Sequence, residues 1–499
     1  MKTLLFFLFL PMITFSQAPN LEWIRVMGGT EGEVIDNLAV TSDGGYIAAG
    51  YSTSSTITGT TTPGSADIYI IKLAANGATQ WETAIGGSLS ENAAGIVQTP
   101  DGGYVVGGTT YSEDGDAYTD NPSVDFWLVK LNNSGQILWQ HRYGSISGAE
   151  EARQMIATPD GGYLLVGLTA YATTDEVPDY HGNYDFYVVK TDANGIMEWQ
   201  RIYGGSGDDQ AYGAAVMANG NFAILGHTAS TNGDVTGMHG CYDSWLLKLD
   251  TMGNMLWQKT IGTPSCELPH AVKATPDGGL AYAGDKGSNA MIVKTDADGN
   301  VQWEQYYGGS GWDSAYAIDV TSDGGYIVTG YMSIPDGVVA LAEGTGMTWT
   351  FKLDGNGNIK WQKRLGGTGT NEIGFAVKEV APWQYLVAGN TDSTDGNMVG
   401  NSGQLDLFIA KLVMPGLDTA NLDFQNIVLY PNPSSNLFTI QLPAGHPAEK
   451  CVAIAADGRI ISLNVKNGNT VDVSKLTAGL YFIQVESAGK IFSSKIIKE

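Results

Sequence analysis

WETAIGGSLSENAAGIVQTPDGGYVVGGTTYSEDGDAYTDNPSVDFWLVKLNNSGQILW, residues 81–139, runs from one tryptophan to the next and holds the unit that decides the fold. Four strand-length segments read out of it, at about 93–98, 104–109, 125–131 and 137–143. Asp101-Gly102-Gly103 joins two of them, and sister copies use Asn-Gly. Both are hairpin signals, because these residues accept positive φ at little cost.

The unit recurs along the chain. Its tryptophans are Trp23, Trp81, Trp139, Trp199, Trp257, Trp303 and Trp361, spaced 58, 58, 60, 58, 46 and 58 residues apart. After each comes a Gly-bearing corner, then a turn and strand of the type PDGGYVVGG, then an element of the type DFWLVK. Self-similarity at this period marks a repeat architecture. Four antiparallel strands per repeat, seven times over, predict the blades of a β-propeller. A solenoid would need polar end caps, which the sequence does not supply. The first unit starts with an orphan tryptophan strand at 21–27, and the last stops after 406–412 without one. The N-terminal strand is therefore expected to complete the seventh blade and close the ring, removing exposed edges. The sequence thus predicts an all-β chain with a seven-bladed propeller over 19–414. GGSGDDQAYGAAV (204–216) and GGSGWDSAYAIDV (308–320) resemble a bacterial β-propeller repeat family whose units read GGSGDD. That resemblance implies a fold and no particular activity.

The segments flanking the repeats carry addresses. Residues 1–18 place Lys2 before an apolar run and end on Ser16 and Ala18, the layout of a secretory signal peptide. No later stretch is apolar enough to cross a membrane. A linker is expected at 415–424, and the pattern changes over 425–499. There Tyr430-Pro431-Asn432-Pro433, Asp457-Gly458-Arg459, Gly479-Leu480-Tyr481-Phe482 and Lys495-Ile496-Ile497-Lys498 follow in order. These pieces resemble the type A sorting domain of type IX secretion in Bacteroidetes-like bacteria. The resemblance implies a small Ig-like β-sandwich read by the outer-membrane translocon, and a protein delivered through the periplasm to the surface or the medium.

Charge narrows the partners. The chain carries 26 Lys and Arg against 52 Asp and Glu, a net of −26. Residues 421–499 hold seven of the basic and six of the acidic residues, so the acidity belongs to the repeats. Such a surface repels phosphates and argues against nucleic acid. Three cysteines are too few to build a scaffold.

Candidate chemistry recurs with the repeat. An acid stands ten or eleven residues after each tryptophan: Glu33, Glu91, Glu150, Asp209, Glu267 and Asp313, with Asn371-Glu372 in the last copy. These residues enter the innermost strand, where they would ring one channel mouth as a cation or polar-ligand site. The favoured alternative is that each accepts backbone N–H bonds where blades meet, which accounts for one per blade. Asp-Gly loops offer Asp114, Asp116 and Asp234 to Ca2+, although no full calcium loop is present and turn formation is the favoured role. A lysine recurs on the third strand (Lys72, Lys130, Lys190, Lys248, Lys294, Lys352, Lys411), and is expected to pair with a carboxylate. The strand 2–3 loop and the blade-to-blade loop emerge on one face, which brings Cys241 and Cys266 together as a disulfide and leaves Cys451 reduced and buried. The fifth unit shortens its strand 2–3 loop to Asp285-Lys286-Gly287-Ser288. A notch is expected there, beside Glu267 and Asp313, as a place for a ligand or partner, with a plain loop deletion as the favoured alternative.

No catalytic motif is present: neither His-Glu-x-x-His, nor Gly-x-Ser-x-Gly, nor a phosphate loop. The preferred reading is a secreted or cell-surface, non-catalytic binding or structural protein that engages an extracellular glycan or protein. The alternative is a secreted carbohydrate-active hydrolase or lyase on the same scaffold.

Overall fold

In the computed structural model the chain divides into two compact units, 1–413 and 414–499. The structure describes residues 17–55, 65–118, 123–145, 148–170, 180–401, 404–415, 427–442, 448, 450–455, 460–467, 469–487 and 490–499. The expected signal peptide up to residue 16, most of the linker and Asp457-Gly458-Arg459 lie outside the described residues.

Among its described residues, the first unit is a succession of seven antiparallel sheets, each taking four strands in a meander. Sheet two shows the pattern: Glu91–Gln98, Tyr104–Thr110, Asp125–Leu131 and Ile137–Tyr143 pair in that order. Its second and third strands are buried at every position, because neighbouring sheets cover both faces. Sheet six adds a short strand, Glu343–Gly344, parallel to Ile359–Leu365, which the sequence reading did not anticipate. Sheet seven is assembled from both ends of the unit. Ile373–Ala381, Gln384–Thr391 and Asp406–Val413 are joined at the edge by Asn20–Met27, antiparallel to Asp406–Val413.

The repeated tryptophans join consecutive sheets. Trp23, Trp81, Trp199, Trp303 and Trp361 each face an aromatic ring of the next sheet, Tyr46, Tyr104, Phe222, Tyr326 and Tyr385, at centroid distances of 5.5–6.4 Å. Trp23 belongs to sheet seven and Tyr46 to sheet one, so this contact links last to first. Where the ring is fully buried, as at Trp361, this stabilises by roughly 2–3 kcal/mol.

Every first strand carries a β-bulge at the same place, and a repeated glycine permits it. In sheet four the register runs Ala211 to Gly226, then Gly213 to Leu225, leaving Tyr212 unpaired. The same slip occurs in the other six sheets. The glycine opposite (Gly50, Gly108, Gly167, Gly226, Gly284, Gly330, Gly389) has no room for a side chain. A Cβ there would stand 1.8–2.4 Å from a backbone carbonyl oxygen of the bulged strand. A bulge re-aims one side chain per strand.

Among its described residues, the second unit holds two four-stranded sheets around one apolar core. Val428–Tyr430, Leu437–Gln441, Thr470–Asp472 and Val465–Lys466 form one sheet. Ile460–Leu463, Lys450–Ala455, Gly479–Ser487 and Lys490–Lys498 form the other. Phe438, Ile440, Ile483, Val485 and Ile496 fill the space between. Cys451 is buried in the same core as a free thiol, and burial pushes its pKa to about 12.

Candidate functional site

The recurrent acids are wall residues. Glu33, Glu91, Glu150, Asp209, Glu267, Asp313 and Glu372 are all at most 1% exposed. In every copy the carboxylate accepts the backbone N–H of the residue four or five earlier, at 2.6–3.2 Å. Most also accept a hydroxyl from the second strand or its loop, as Glu91 does from Thr110 (2.8 Å) and Glu33 from Ser52 (2.7 Å). The staple dictates the glycine beside it. At Gly28, Gly86, Gly144, Gly204, Gly262, Gly308 and Gly366 a Cβ would fall 1.9–2.5 Å from a carboxylate oxygen. In several corners that oxygen belongs to a second buried acid, which opens the third strand: Asp67, Asp125, Asp185 or Asp243. Burial raises the Asp67 and Glu150 carboxyls to about 7 and Asp185 to about 8; Glu91 adds to the rise at Asp67 and Asp209 to that at Asp185.

The Asp-Gly loops cover the same corners. Asp114 Oδ1 accepts Ser88 N–H at 2.7 Å, and the N–H groups of Asp116 and Asp234 donate to Gly86 and Gly204 carbonyls at 2.9 and 2.8 Å. Among the described residues no group of three or more His, Cys, Asp or Glu is placed to hold a metal ion. Five third-strand lysines (Lys72, Lys130, Lys190, Lys294, Lys352) reach the aspartate of a neighbouring Asp-Gly-Gly turn at 2.8–2.9 Å. Cys241 and Cys266 are disulfide-bonded with Cα atoms 5.2 Å apart. In the fifth unit Leu280–Lys286 and Asn289–Thr295 meet through Gly287-Ser288 alone, and Lys286 approaches buried Glu267 at 3.3 Å.

The bulged residues behave differently. They are the positions where the first strands do not repeat, and six of them line one cavity of about 170 Å³: Asp36, Arg153, Tyr212, His270, Tyr316 and Phe375. Ala94 is the seventh, too small to reach it. The rings form an arc across four sheets, with Tyr212–His270 at 6.2 Å, His270–Tyr316 at 4.9 Å and Tyr316–Phe375 at 5.3 Å. His270 Nε2 is held by Asp285 Oδ2 at 3.0 Å, and Arg153 lies 5.8 Å from the Tyr212 ring. Behind the arc His227 packs on Tyr212 at 5.4 Å, and burial, with His270 and Arg153 nearby, presses it down to about 4. Three residues further along their strands, Lys273, Asp319 and Lys378 line the same cavity. Sequence reasoning fixed on what recurs and passed over this position. Its signal was a variable residue three places after each acid, opposite an unvarying glycine.

In the second unit two distant motif pieces form one corner. Asn432 Nδ2 donates to Lys495 O (2.8 Å), Ile497 N–H donates to Asn432 Oδ1 (2.9 Å), and Ser434 N–H donates to Ile497 O (2.8 Å). Tyr481 is buried and its hydroxyl donates to Thr477 O at 3.0 Å. Gly479 pairs with Lys498, Leu480 with Ile497 and Phe482 with Lys495. Leu480, Phe482 and Ile497 are left exposed, with Lys495 Nζ 5.4 Å from the Phe482 ring. Residues 428–499 match the secretion system C-terminal sorting domain. The protein is exported to the cell surface or the extracellular space.

No curated protein matches the sequence. Among solved structures, PorZ, a surface component of the type IX secretion system of Porphyromonas gingivalis, is 12% identical with a TM-score of 0.38, over 94% of this chain and 59% of its own. The extracellular domain of a putative hybrid two component system from B. thetaiotaomicron is 10% identical with a TM-score of 0.40, over 95% and 57%. A protein of unknown function from Dyadobacter fermentans is 14% identical with a TM-score of 0.41, over 66% and 97%. Likenesses this distant carry no functional information.

Proposed function

We propose that the seven sheets close into a seven-bladed β-propeller with Asn20–Met27 as the strand that completes the last blade. We propose further that this propeller is a non-catalytic binding or structural platform delivered to the cell surface or medium by type IX secretion. Residues 1–18 serve as the signal peptide on this reading. The match of residues 428–499 to a sorting domain carries it. The translocon reads the tail through the exposed row Leu480, Phe482, Ile497 and Lys495, which nothing in the tail's own core needs. The seven recurrent acids act as staples between sheets, and the ligand-facing residues lie elsewhere on the first strands.

Deleting residues 421–499 tests the export reading. A folded, protease-resistant propeller should accumulate in the periplasm, and normal arrival of the truncated chain at the surface or in the medium would refute it. Phe482→Ser in the full chain should reduce export while leaving the tail folded, since the side chain is exposed. Undiminished export of that variant would remove the docking row alone.

A further inference from the structure

Lys273 and Lys378 stand in the cavity wall without a counter-ion. Among the described residues neither ammonium has an ion pair or a hydrogen bond. Asp319 attracts Lys273 and Lys378 repels it, both from beyond contact. Burial, the largest influence, also disfavours the Lys273 charge. Lys273, Lys378 and one carboxylate, Asp319, line this level of the wall, and Asp319 already accepts the Glu379 N–H at 3.2 Å. Arg153 is paired with Glu151 at 2.9 Å, His270 Nε2 lies 3.0 Å from Asp285 Oδ2, and burial raises the Asp36 carboxyl to about 7. Two interior lysines without an ion pair, in a chain of net −26, are the reverse of the surface trend.

The second observation is distance. Lys273, Asp319 and Lys378 follow the ring residues His270, Tyr316 and Phe375 by three positions each. At about 3.3 Å per residue that places the charges roughly 10 Å along the strands from the arc of rings, before the lysine stems reach back. The cavity volume of about 170 Å³ is below that of sites for drug-sized ligands. It has room for one small ring and an acidic group. One carboxylate can face both lysines.

We propose that this cavity binds a small carboxylate carried on a six-membered ring. The carboxylate supplies the missing counter-ion of Lys273 and Lys378, and the ring lies against Tyr212, His270, Tyr316 and Phe375. The class includes uronic acids, from acidic polysaccharides, and hydroxylated aryl acids. The proposal rests on the reading of the propeller as a binding platform and names what that platform takes.

Calorimetric titration of the purified exported chain separates the two sources. The probes are D-glucuronate and 4-hydroxybenzoate, each beside its neutral counterpart, D-glucose and 4-hydroxybenzyl alcohol. One acid should bind saturably at one site, about tenfold or more tighter than its neutral counterpart. Lys273→Met and Lys378→Met should each weaken it about tenfold, Tyr316→Ala should weaken it too, and Lys273→Arg should bind within about threefold of the parent. Lys259→Met, on an outer strand, should change nothing. No binding of either acid at about 10 mM, equal binding of the neutral compounds, or lysine variants that bind like the parent would overturn the proposal. Thermal melts exclude misfolding, because removing an unpaired interior charge should leave the melting temperature unchanged or raised. Export of the same chain is measured independently, so failure here leaves the delivery reading standing.

Discussion

Two sets of residues three positions apart on the same strands follow opposite rules. The staple position is an acid in every sheet, buried and bonded in the same way each time. The bulge position is Asp36, Ala94, Arg153, Tyr212, His270, Tyr316 or Phe375, with no chemistry in common. Selection for a joint between sheets produces the first pattern, because every joint poses the same steric problem. A cavity shared by six of the sheets produces the second, since one ligand would meet each lining residue from a different side. In a repeat protein, recurrence marks the scaffold, and failure to recur inside a recurring frame marks the candidate site.

Substitutions at the two kinds of position sharpen the contrast, beginning with the backbone that makes the bulge. Gly226→Ala sets a Cβ 2.0 Å from the Gln210 carbonyl oxygen, a rigid neighbour. We expect a loss of about 3–5 kcal/mol by urea denaturation, or failure to fold. Gly102→Ala, at φ 82° with nothing within 4 Å, should cost only about 1 kcal/mol. Equal effects would contradict the packing account.

Glu91→Ala removes the carboxylate that accepts the N–H groups of Gly87 and Ser112 and the Thr110 hydroxyl. The expected cost is about 2–3 kcal/mol, measured the same way.

A smaller effect is expected with pH. Burial holds Asp67 and Glu150 at about 7 and Asp185 at about 8 in the folded protein, above their ordinary 3.8, 4.5 and 3.8. A carboxyl raised in this way favours the folded state fully below its unfolded pKa, and the benefit is lost as pH climbs through the folded value. The melting temperature of the first unit should therefore fall between about pH 4 and 8, and Asp185→Asn should flatten that slope. Asp43 runs the other way. Hydrogen bonds from Thr41 and Lys72 hold it at about 2, so its contribution persists until pH drops through that value. A melting temperature that rises steadily from pH 5 to 8 would contradict the buried-pair account.

Much of this architecture was legible because the physics repeats. Tryptophan spacing, Asp-Gly-Gly turns and the orphan strand at 21–27 placed the strands to within two residues in the second sheet and paired Asn20–Met27 with Asp406–Val413. Cys241 and Cys266 were legible because strand order fixes which loops share a face. The cavity was not. Alternation assigns Tyr212 or His270 a side of the strand, and a bulge shifts that assignment by one residue, a step only pairing reveals. The unvarying glycine of the second strand was visible throughout, but a close carbonyl contact and a turn leave the same glycine in a sequence. The strand Glu343–Gly344 was missed for a related reason: two residues carry no periodicity.

The central claim compares neighbours, so matched pairs on one strand test it most directly. Glu267→Ala against His270→Ala, and Asp313→Ala against Tyr316→Ala, should be compared by urea denaturation of the exported chain. The account predicts that each acid variant loses about 2 kcal/mol or more, and at least twice the loss of its cavity neighbour. Cavity variants that lose as much as the acids, or more, would make the bulge residues part of the scaffold and contradict the division between wall and site.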